Sequence, residues 1–118
     1  MAVPKFQSWF LPFLKLLEDG NNHRLSELYQ VLADQFELSE EDRSEMLPSG
    51  KQLKYHNRIG WSRTYLKKAG LVESPVRGEC RITNRGLEVL AQTYEHINVR
   101  FLKQFPEFIE FHTHNPSL

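Results

Sequence analysis

The side chains best suited to binding a charged ligand are concentrated between Lys51 and Arg85. This stretch contains nine basic residues and two acidic ones, Glu73 and Glu79, so it has an excess of seven positive charges. The rest of the chain has the opposite excess, and the formal net charge is zero. Because the field that attracts a polyanion is local, a neutral protein with segregated charge can still bind one. The basic residues of the stretch are Lys51, Lys54, Arg58, Arg63, Lys67, Lys68, Arg77, Arg81 and Arg85.

Apolar spacing predicts that the centre of this basic stretch is a helix beginning near Gln52. Its buried positions recur at about 100° per residue, and Gly70 after a cationic last turn gives the expected left-handed end. Trp61 and Tyr65 are interpreted as partly buried supports rather than as platforms for stacking bases. The predicted buried face is Tyr55, Ile59, Ser62, Leu66 and Ala69. The second face is Lys54, Asn57, Arg58, Trp61, Tyr65 and Lys68, with Arg63 and Lys67 on the other flank.

A β-hairpin is predicted directly after this helix. Short apolar-containing runs at 71–73 and 80–83 flank a turn-forming segment at 74–78, and the hairpin carries Arg77 and Arg81. In a winged helix-turn-helix domain, a helix enters the major groove of DNA and the following hairpin lies along the backbone. The order of elements matches that arrangement. The predicted fold class is therefore mainly α with a small β-hairpin, a winged helix-turn-helix with extra N- and C-terminal helices.

Other helices must position these two elements. A helix over 6–17 contains Pro12, which predicts either a kink or a helix that begins just before it. Ser39 and Asp42 have the spacing of a capping box that opens a short helix to about Leu47. The remaining predicted elements are a very short strand at 23–25, a helix over 25–36, a helix capped by Thr83 and running to about Tyr94, two short helical pieces over 97–111, and a frayed tail over 112–118.

On this fold the polar residues have expected roles. Ser49 and Lys51 lead into the helix, whose first amides can bind a phosphate. Asn57 suits adenine and Arg58 suits guanine, because each side chain can make two hydrogen bonds to a base edge. The cations of the last helical turn and of the hairpin are expected to contact phosphates. The alternatives are a local bridging role for Asn57 and an ordinary solvated surface for the charges. The predicted DNA-binding set is Ser49, Lys51, Lys54, Asn57, Arg58, Arg63, Lys67, Lys68, Arg77 and Arg81.

The sequence offers little for catalysis or for metal binding. The histidines are scattered without carboxylates or cysteines at ligand spacing, and no serine lies in a strained, glycine-flanked turn. We therefore expect no catalytic residue, no metal and no cofactor. The single cysteine, Cys80, excludes an internal disulfide and agrees with a reducing compartment. With no apolar run long enough to span a membrane and no secretory signal, the cytoplasm is the expected location.

Three segments carry a family resemblance. They are Leu-Pro-Ser-Gly-Lys-Gln from Leu47, Tyr-His-Asn-Arg-Ile-Gly-Trp-Ser-Arg-Thr-Tyr-Leu-Lys-Lys-Ala-Gly-Leu-Val from Tyr55, and Arg-Ile-Thr-Asn-Arg-Gly from Arg81. Over residues 4–90 the chain resembles the N-terminal domain of Mrr-type, modification-dependent restriction endonucleases. The resemblance implies a winged-helix module that binds double-stranded DNA and precedes a separate nuclease domain in enzymes that cut DNA carrying modified bases. It also implies that the helix over 54–69 reads DNA and that Arg77 belongs to the wing.

The same resemblance bears on domain organisation and activity. We expect a single domain over 1–118, with a winged-helix core at 4–95. Residues 96–118 are expected to be a C-terminal helical extension or a linker toward a nuclease domain that this chain lacks. Gln52-Leu53-Lys54 spells the Gln-or-Glu, any residue, Lys triplet of the family's nuclease core, but it opens a helix and follows no strand with an acidic metal ligand. The chain is therefore expected not to be an enzyme by itself, and its partners are DNA and the nuclease domain of a longer homologous chain.

Two other functions stay open on the sequence. The domain can be a winged helix for protein association, including a homodimer through the aromatic segment 101–111, or a stand-alone transcription regulator. The association alternative predicts a stable dimer that is lost when Phe105 or Phe108 is replaced by a polar residue. Packing of the aromatic segment on its own domain is the preferred interpretation.

Overall fold

The computed structural model describes residues 3–92 and 97–114, and it is mainly helical with a small sheet. A 3₁₀ turn at Phe6–Trp9 leads directly into the first α-helix. None of the helices in the described part is long and apolar enough to cross a membrane. In chain order the elements are α1 (Phe10–Leu16), β1 (His23–Arg24), α2 (Leu25–Gln35), α3 (Glu40–Ser44), α4 (Lys54–Lys68), β2 (Val72–Glu73), β3 (Glu79–Ile82), α5 (Asn84–Ala91), α6 (Val99–Leu102) and α7 (Pro106–His114).

The sheet confirms the predicted hairpin and adds the short strand to it. Its three strands are antiparallel in the order β1-β3-β2. His23 pairs with Cys80, and Val72 pairs with Ile82. The burial of Cys80 and Ile82 alternates with more exposed neighbours, so one face of β3 packs on the helices and the other faces outward. The amide of Leu25, the first residue of α2, donates to the Gly78 carbonyl at 2.8 Å and ties α2 to the hairpin tip.

The first helix begins just before its proline, which was one of the two predicted possibilities. Because α1 begins at Phe10, Pro12 lies in the first turn of the α-helix. A missing amide hydrogen costs little there, since the first amides of a helix have no partner within it.

The segment between α3 and α4 differs from the prediction at both ends. The capping box of Ser39 and Asp42 is confirmed, but α3 ends at Ser44 rather than near Leu47. Met46 then forms a β-bridge with Leu53, which holds Leu53 in extended backbone with ψ of 136°. The helix α4 consequently begins at Lys54 and not near Gln52.

Aromatic side chains from both ends of the chain meet on the buried face of α4. The Tyr65 ring is 1% exposed. Its centroid lies 4.9 Å from that of Phe6 and 5.3 Å from that of Phe108. Phe108 is fully buried, so α7 is packed against α4. The expected fraying from His112 is wrong as far as His114, where α7 ends. The helix α5 ends at Ala91, with Gln92 in extended backbone, so it stops short of the predicted end near Tyr94. Tyr94 itself and residues 115–118 lie outside the described residues.

The C-terminal end of α4 is fixed by a left-handed glycine and by two hydrogen bonds. Gly70 has a φ of 78°, a left-handed conformation that favours glycine and ends the helix as predicted. The Gly70 carbonyl accepts a hydrogen bond of 2.6 Å from the Thr83 hydroxyl, and the Ala69 carbonyl accepts one of 2.9 Å from Arg85 Nη1. The same hydroxyl accepts from the Gly86 amide and caps α5. The helix and the hairpin are therefore held in a fixed relation.

Candidate nucleic-acid interface

The helix α4 has the predicted buried face and divides its cations between two flanks. Tyr55, Ile59, Ser62, Leu66 and Ala69 are all buried. Residues five apart on an α-helix are separated by roughly 140° around its axis, so the side chains at positions 58 and 63 leave the helix on different flanks. The basic residues of α4 therefore do not form one stripe.

An outward groove lies between α2 and α4. It has a volume of about 310 Å³. Two of its lining residues, Leu25 and Tyr29, come from α2, and Leu25 is bonded to the hairpin tip as described above. The groove therefore connects the exposed side of α4 with the hairpin. It is lined by Leu25, Tyr29, Gln52, Asn57, Gly60, Trp61, Arg63 and Thr64.

Arg63 lies in the wall of this groove, close to the sheet. Burial raises the pKa of the Tyr29 phenol, and the Arg63 charge opposes that rise. Burial likewise raises the pKa of the Cys80 thiol, against the charges of Arg63 and Lys67. These two cations are therefore near β3. Arg63 Nε is buried and has no hydrogen-bond partner within residues 3–92 and 97–114, so this side chain keeps an unused donor.

Arg77 and Arg24 lie beside the hairpin end of the groove, although neither side chain lines it. Both side chains are exposed, and Arg77 directly precedes Gly78, which is bonded to Leu25. Neither arginine forms an ion pair with a carboxylate in the part of the chain that is described. The sequence analysis missed Arg24 because it lies far from the basic stretch. The available signal was the predicted strand at 23–25, which could have been paired with the hairpin.

Three further cations of the predicted set are engaged by other groups of the protein. Lys54 Nζ lies 3.1 Å from Glu45, and Arg81 Nε donates to Glu73 at 2.9 Å. Lys68 Nζ lies over the Phe111 ring, 5.5 Å from its centroid. These contacts do not prevent an interaction with phosphate, because exposed ion pairs contribute only about 0–1 kcal/mol. They do place the three cations outside the groove.

The two residues predicted to read bases are bonded to each other. Arg58 Nη1 donates to Asn57 Oδ1 at 3.0 Å, and Asn57 Nδ2 donates to Gln52 Oε1 at 3.2 Å. Asn57 lines the groove, whereas Arg58 is on the far flank. The local bridging role considered for Asn57 is thus present in this structure.

Ser49 and Lys51 lie in the exposed turn that precedes α4. The Lys51 amide donates to Ser49 Oγ at 3.4 Å. The first amide of α4, that of Lys54, is already bonded to the Glu45 carbonyl at 2.8 Å. Both side chains remain accessible to a ligand that reaches the start of the helix.

The aromatic residues near the groove separate into two kinds. Tyr65, predicted on the second face of α4 as a partly buried support, is 1% exposed and belongs to the core, so its place on that face was wrong. Trp61 is half-buried in the groove wall. His56 stacks on Tyr29, with ring centroids 4.0 Å apart, and burial lowers its pKa, so the imidazole is disfavoured as a cation.

Across residues 3–92 and 97–114, no cluster of three or more histidine, cysteine or acidic residues could hold a metal ion.

Comparison with known proteins places this arrangement in a family. Over 94 residues the chain is 34% identical to the Type IV methyl-directed restriction enzyme EcoKMrr of Escherichia coli strain K12. The match covers 77% of this chain and 30% of that relative. No solved structure gives a significant match. The family model described as the Mrr N-terminal domain matches residues 6–92, which include the groove and the hairpin, and the chain therefore belongs to the Mrr N-terminal domain family.

Proposed function

We propose that this domain is a winged helix that binds double-stranded DNA and serves as the recognition module of an Mrr-like restriction protein acting on modified DNA. The proposal rests on one observation, namely that three neighbouring features form a continuous surface. The outward side of α4, the α2–α4 groove and the hairpin tip adjoin one another through the Leu25–Gly78 hydrogen bond. Arg24, Arg63 and Arg77 lie along this surface, and none is paired with a carboxylate in the described residues.

Each part of this surface suits a part of duplex DNA. The major groove is about 12 Å wide and admits one helix, so α4 enters it with Asn57 and Thr64 toward the bases. Arg77 and Arg24 then lie beside the neighbouring backbone, where guanidinium groups bind phosphate through paired hydrogen bonds. Specific binding needs both kinds of contact: phosphate contacts position the protein on the duplex, and base contacts read the sequence.

The rest of the predicted set has secondary roles in this proposal. Ser49 and Lys51 contact the phosphate nearest the start of α4. Lys67 adds to the positive electrostatic potential around Arg63. Lys54, Arg58, Lys68 and Arg81 contribute through long-range attraction, because each is already engaged within the protein. The cations proposed to contact DNA directly are thus a subset of the predicted cations, with Arg24 added.

The restriction role is supported by family membership. The named relative is a methyl-directed restriction enzyme, and this chain spans less than a third of its length. In this proposal the domain supplies DNA recognition, and a nuclease domain such as that of a longer homologous chain supplies cleavage. A cytoplasmic location agrees with the single, unpaired cysteine, Cys80.

The association alternative has less support. A dimer made through Phe108 needs that ring at the surface, but the ring is fully buried against Tyr65 of the same chain. Phe105 is covered by Arg85, whose guanidinium carbon lies 4.8 Å from the ring centroid. Within the described part of the C-terminal aromatic segment, Phe108 is thus not available to a partner. The accessible apolar side chains are the exposed Ile109 and the partly buried rings at 101, 105 and 111.

Arg24 provides a specific test, because the sequence did not point to it. Replacing it in Arg24→Gln should lower duplex affinity about eightfold at about 0.1 M salt, the effect of losing one phosphate contact. Fluorescence anisotropy with a labelled duplex measures this directly. The matched control is Lys15→Gln, which removes one exposed cation from α1, away from the groove. Equal losses from the two variants would reject the proposed surface.

A further inference from the structure

Gly60 lies in the interior of α4, where glycine is unfavourable. An interior glycine destabilises a helix relative to alanine, because it has more backbone freedom to lose on folding. Gly60 does not have a positive φ, so the backbone conformation does not require glycine. Some other feature must account for it.

Packing within the protein does not require glycine at this position either. A Cβ atom placed on Gly60 would have the Tyr29 hydroxyl oxygen as its nearest neighbour outside its own helix backbone, at 3.9 Å, which is ordinary contact. Gly86 in α5 is different, since a Cβ there would overlap the Leu71 carbonyl oxygen and the Ile82 side chain. Internal packing therefore explains Gly86 and leaves Gly60 without a structural reason.

The position of Gly60 suggests what approaches it. It lies three residues after Asn57 and four before Thr64, so these three residues adjoin on one ridge of the helix. All three line the α2–α4 groove. The Gly60 carbonyl accepts a hydrogen bond of 3.1 Å from the Thr64 hydroxyl. The Gly60 Cα carries no side chain, so a partner can approach it more closely than it could approach an alanine.

We propose that the ridge at Gly60 is where the edge of a base pair approaches the backbone of α4, which makes Gly60 a specificity-determining residue. This inference rests on the proposed function. The groups beside Gly60 carry donors and acceptors together: the Asn57 and Gln52 amides, which are bonded at 3.2 Å, and the Thr64 hydroxyl. Base edges present the same mixture. A phosphate needs cations, and Arg63 is the single cation among the lining residues of the groove.

The variant Gly60→Ala tests the inference because stability and binding should change in opposite directions. Alanine favours the helix, so the melting temperature should rise by about 4 °C. A Cβ on the ridge should lower affinity about tenfold for the duplex that the unaltered domain binds best. Affinity for the duplex that the unaltered domain binds worst should change less than twofold, because that binding depends on contacts with the DNA backbone. The probes are duplexes with 5-methylcytosine, with N6-methyladenine and without modification, compared by anisotropy.

A matched control is Val31→Ala, which raises helix propensity on the outer side of α2, where Val31 is 41% exposed. It should leave every affinity unchanged. If Gly60→Ala is stabilised but binds all duplexes as the unaltered domain does, the close approach at Gly60 is refuted and DNA binding stands. If the unaltered domain binds every duplex equally, base reading at this ridge is also refuted. If it binds no duplex, the proposed function fails first.

Discussion

Replacing Arg24, Arg63 and Arg77 together by glutamine is expected to lower duplex affinity about 500-fold at about 0.1 M salt. Each arginine that neutralises a phosphate contributes about 0.9 to the slope of log affinity against log salt. Three contacts therefore contribute about 2.7, which at this salt concentration corresponds to that loss. The slope itself should become shallower by the same amount. Anisotropy titrations over a series of salt concentrations measure both quantities in one experiment.

The control for this triple variant removes the same charge elsewhere. Lys15, Arg100 and Lys103 are exposed; Lys15 lies on α1, Arg100 on α6, and Lys103 directly after α6. Their triple replacement by glutamine changes net charge equally but should alter affinity less than about threefold at this salt, because exposed charges beyond about 10 Å are largely screened. Circular dichroism confirms that both variants are folded. Equal losses would mean that net charge attracts DNA and that the surface described here has no special role.

The second large effect concerns the fold. The variant Phe108→Ala is expected to lose about 3–5 kcal/mol of the free energy of unfolding, as buried aromatic residues do when a cavity is created. The Phe108 ring is fully buried, with its centroid 5.3 Å from that of Tyr65 and 5.5 Å from that of His112. The melting temperature should fall by about 15 °C. Thermal and urea unfolding followed by circular dichroism measure the loss.

The adjacent residue is the matched control for this variant. Ile109 is 47% exposed, and Ile109→Ala should change stability by about 0.5 kcal/mol or less. A similar small effect of both substitutions would show that α7 is not packed against α4. The pair also addresses association: if Phe108 held a dimer together, its replacement would change the molecular mass by light scattering without lowering the stability of the monomer.

The regular elements were predictable because they depend on local signals. The spacing of Tyr55, Ile59 and Leu66 specified the buried face of α4, and Ser39 with Asp42 specified the start of α3. The bounds of α3 and α4 were less well predicted. They are set by the bridge between Met46 and Leu53, a pairing that periodicity does not reveal.

The division of the cations among surfaces was not predictable in the same way. Helical spacing separates Arg58 from Arg63 around the axis, but it does not say which flank adjoins the sheet. Tertiary packing decides that question, since it brings Arg63 into the same groove as Tyr29 of α2. The spacing of residues likewise does not reveal contacts between positions that are far apart in the sequence. The proximity of Arg24 to the hairpin tip is an example.

The slope of duplex affinity against salt for the unaltered domain tests the central claim most directly. Arg24, Arg63 and Arg77, together with Lys51 and Lys67, predict a slope of about −4 to −5 in a plot of log affinity against log salt. A slope near zero, or no measurable binding at about 50 mM salt, would contradict the account.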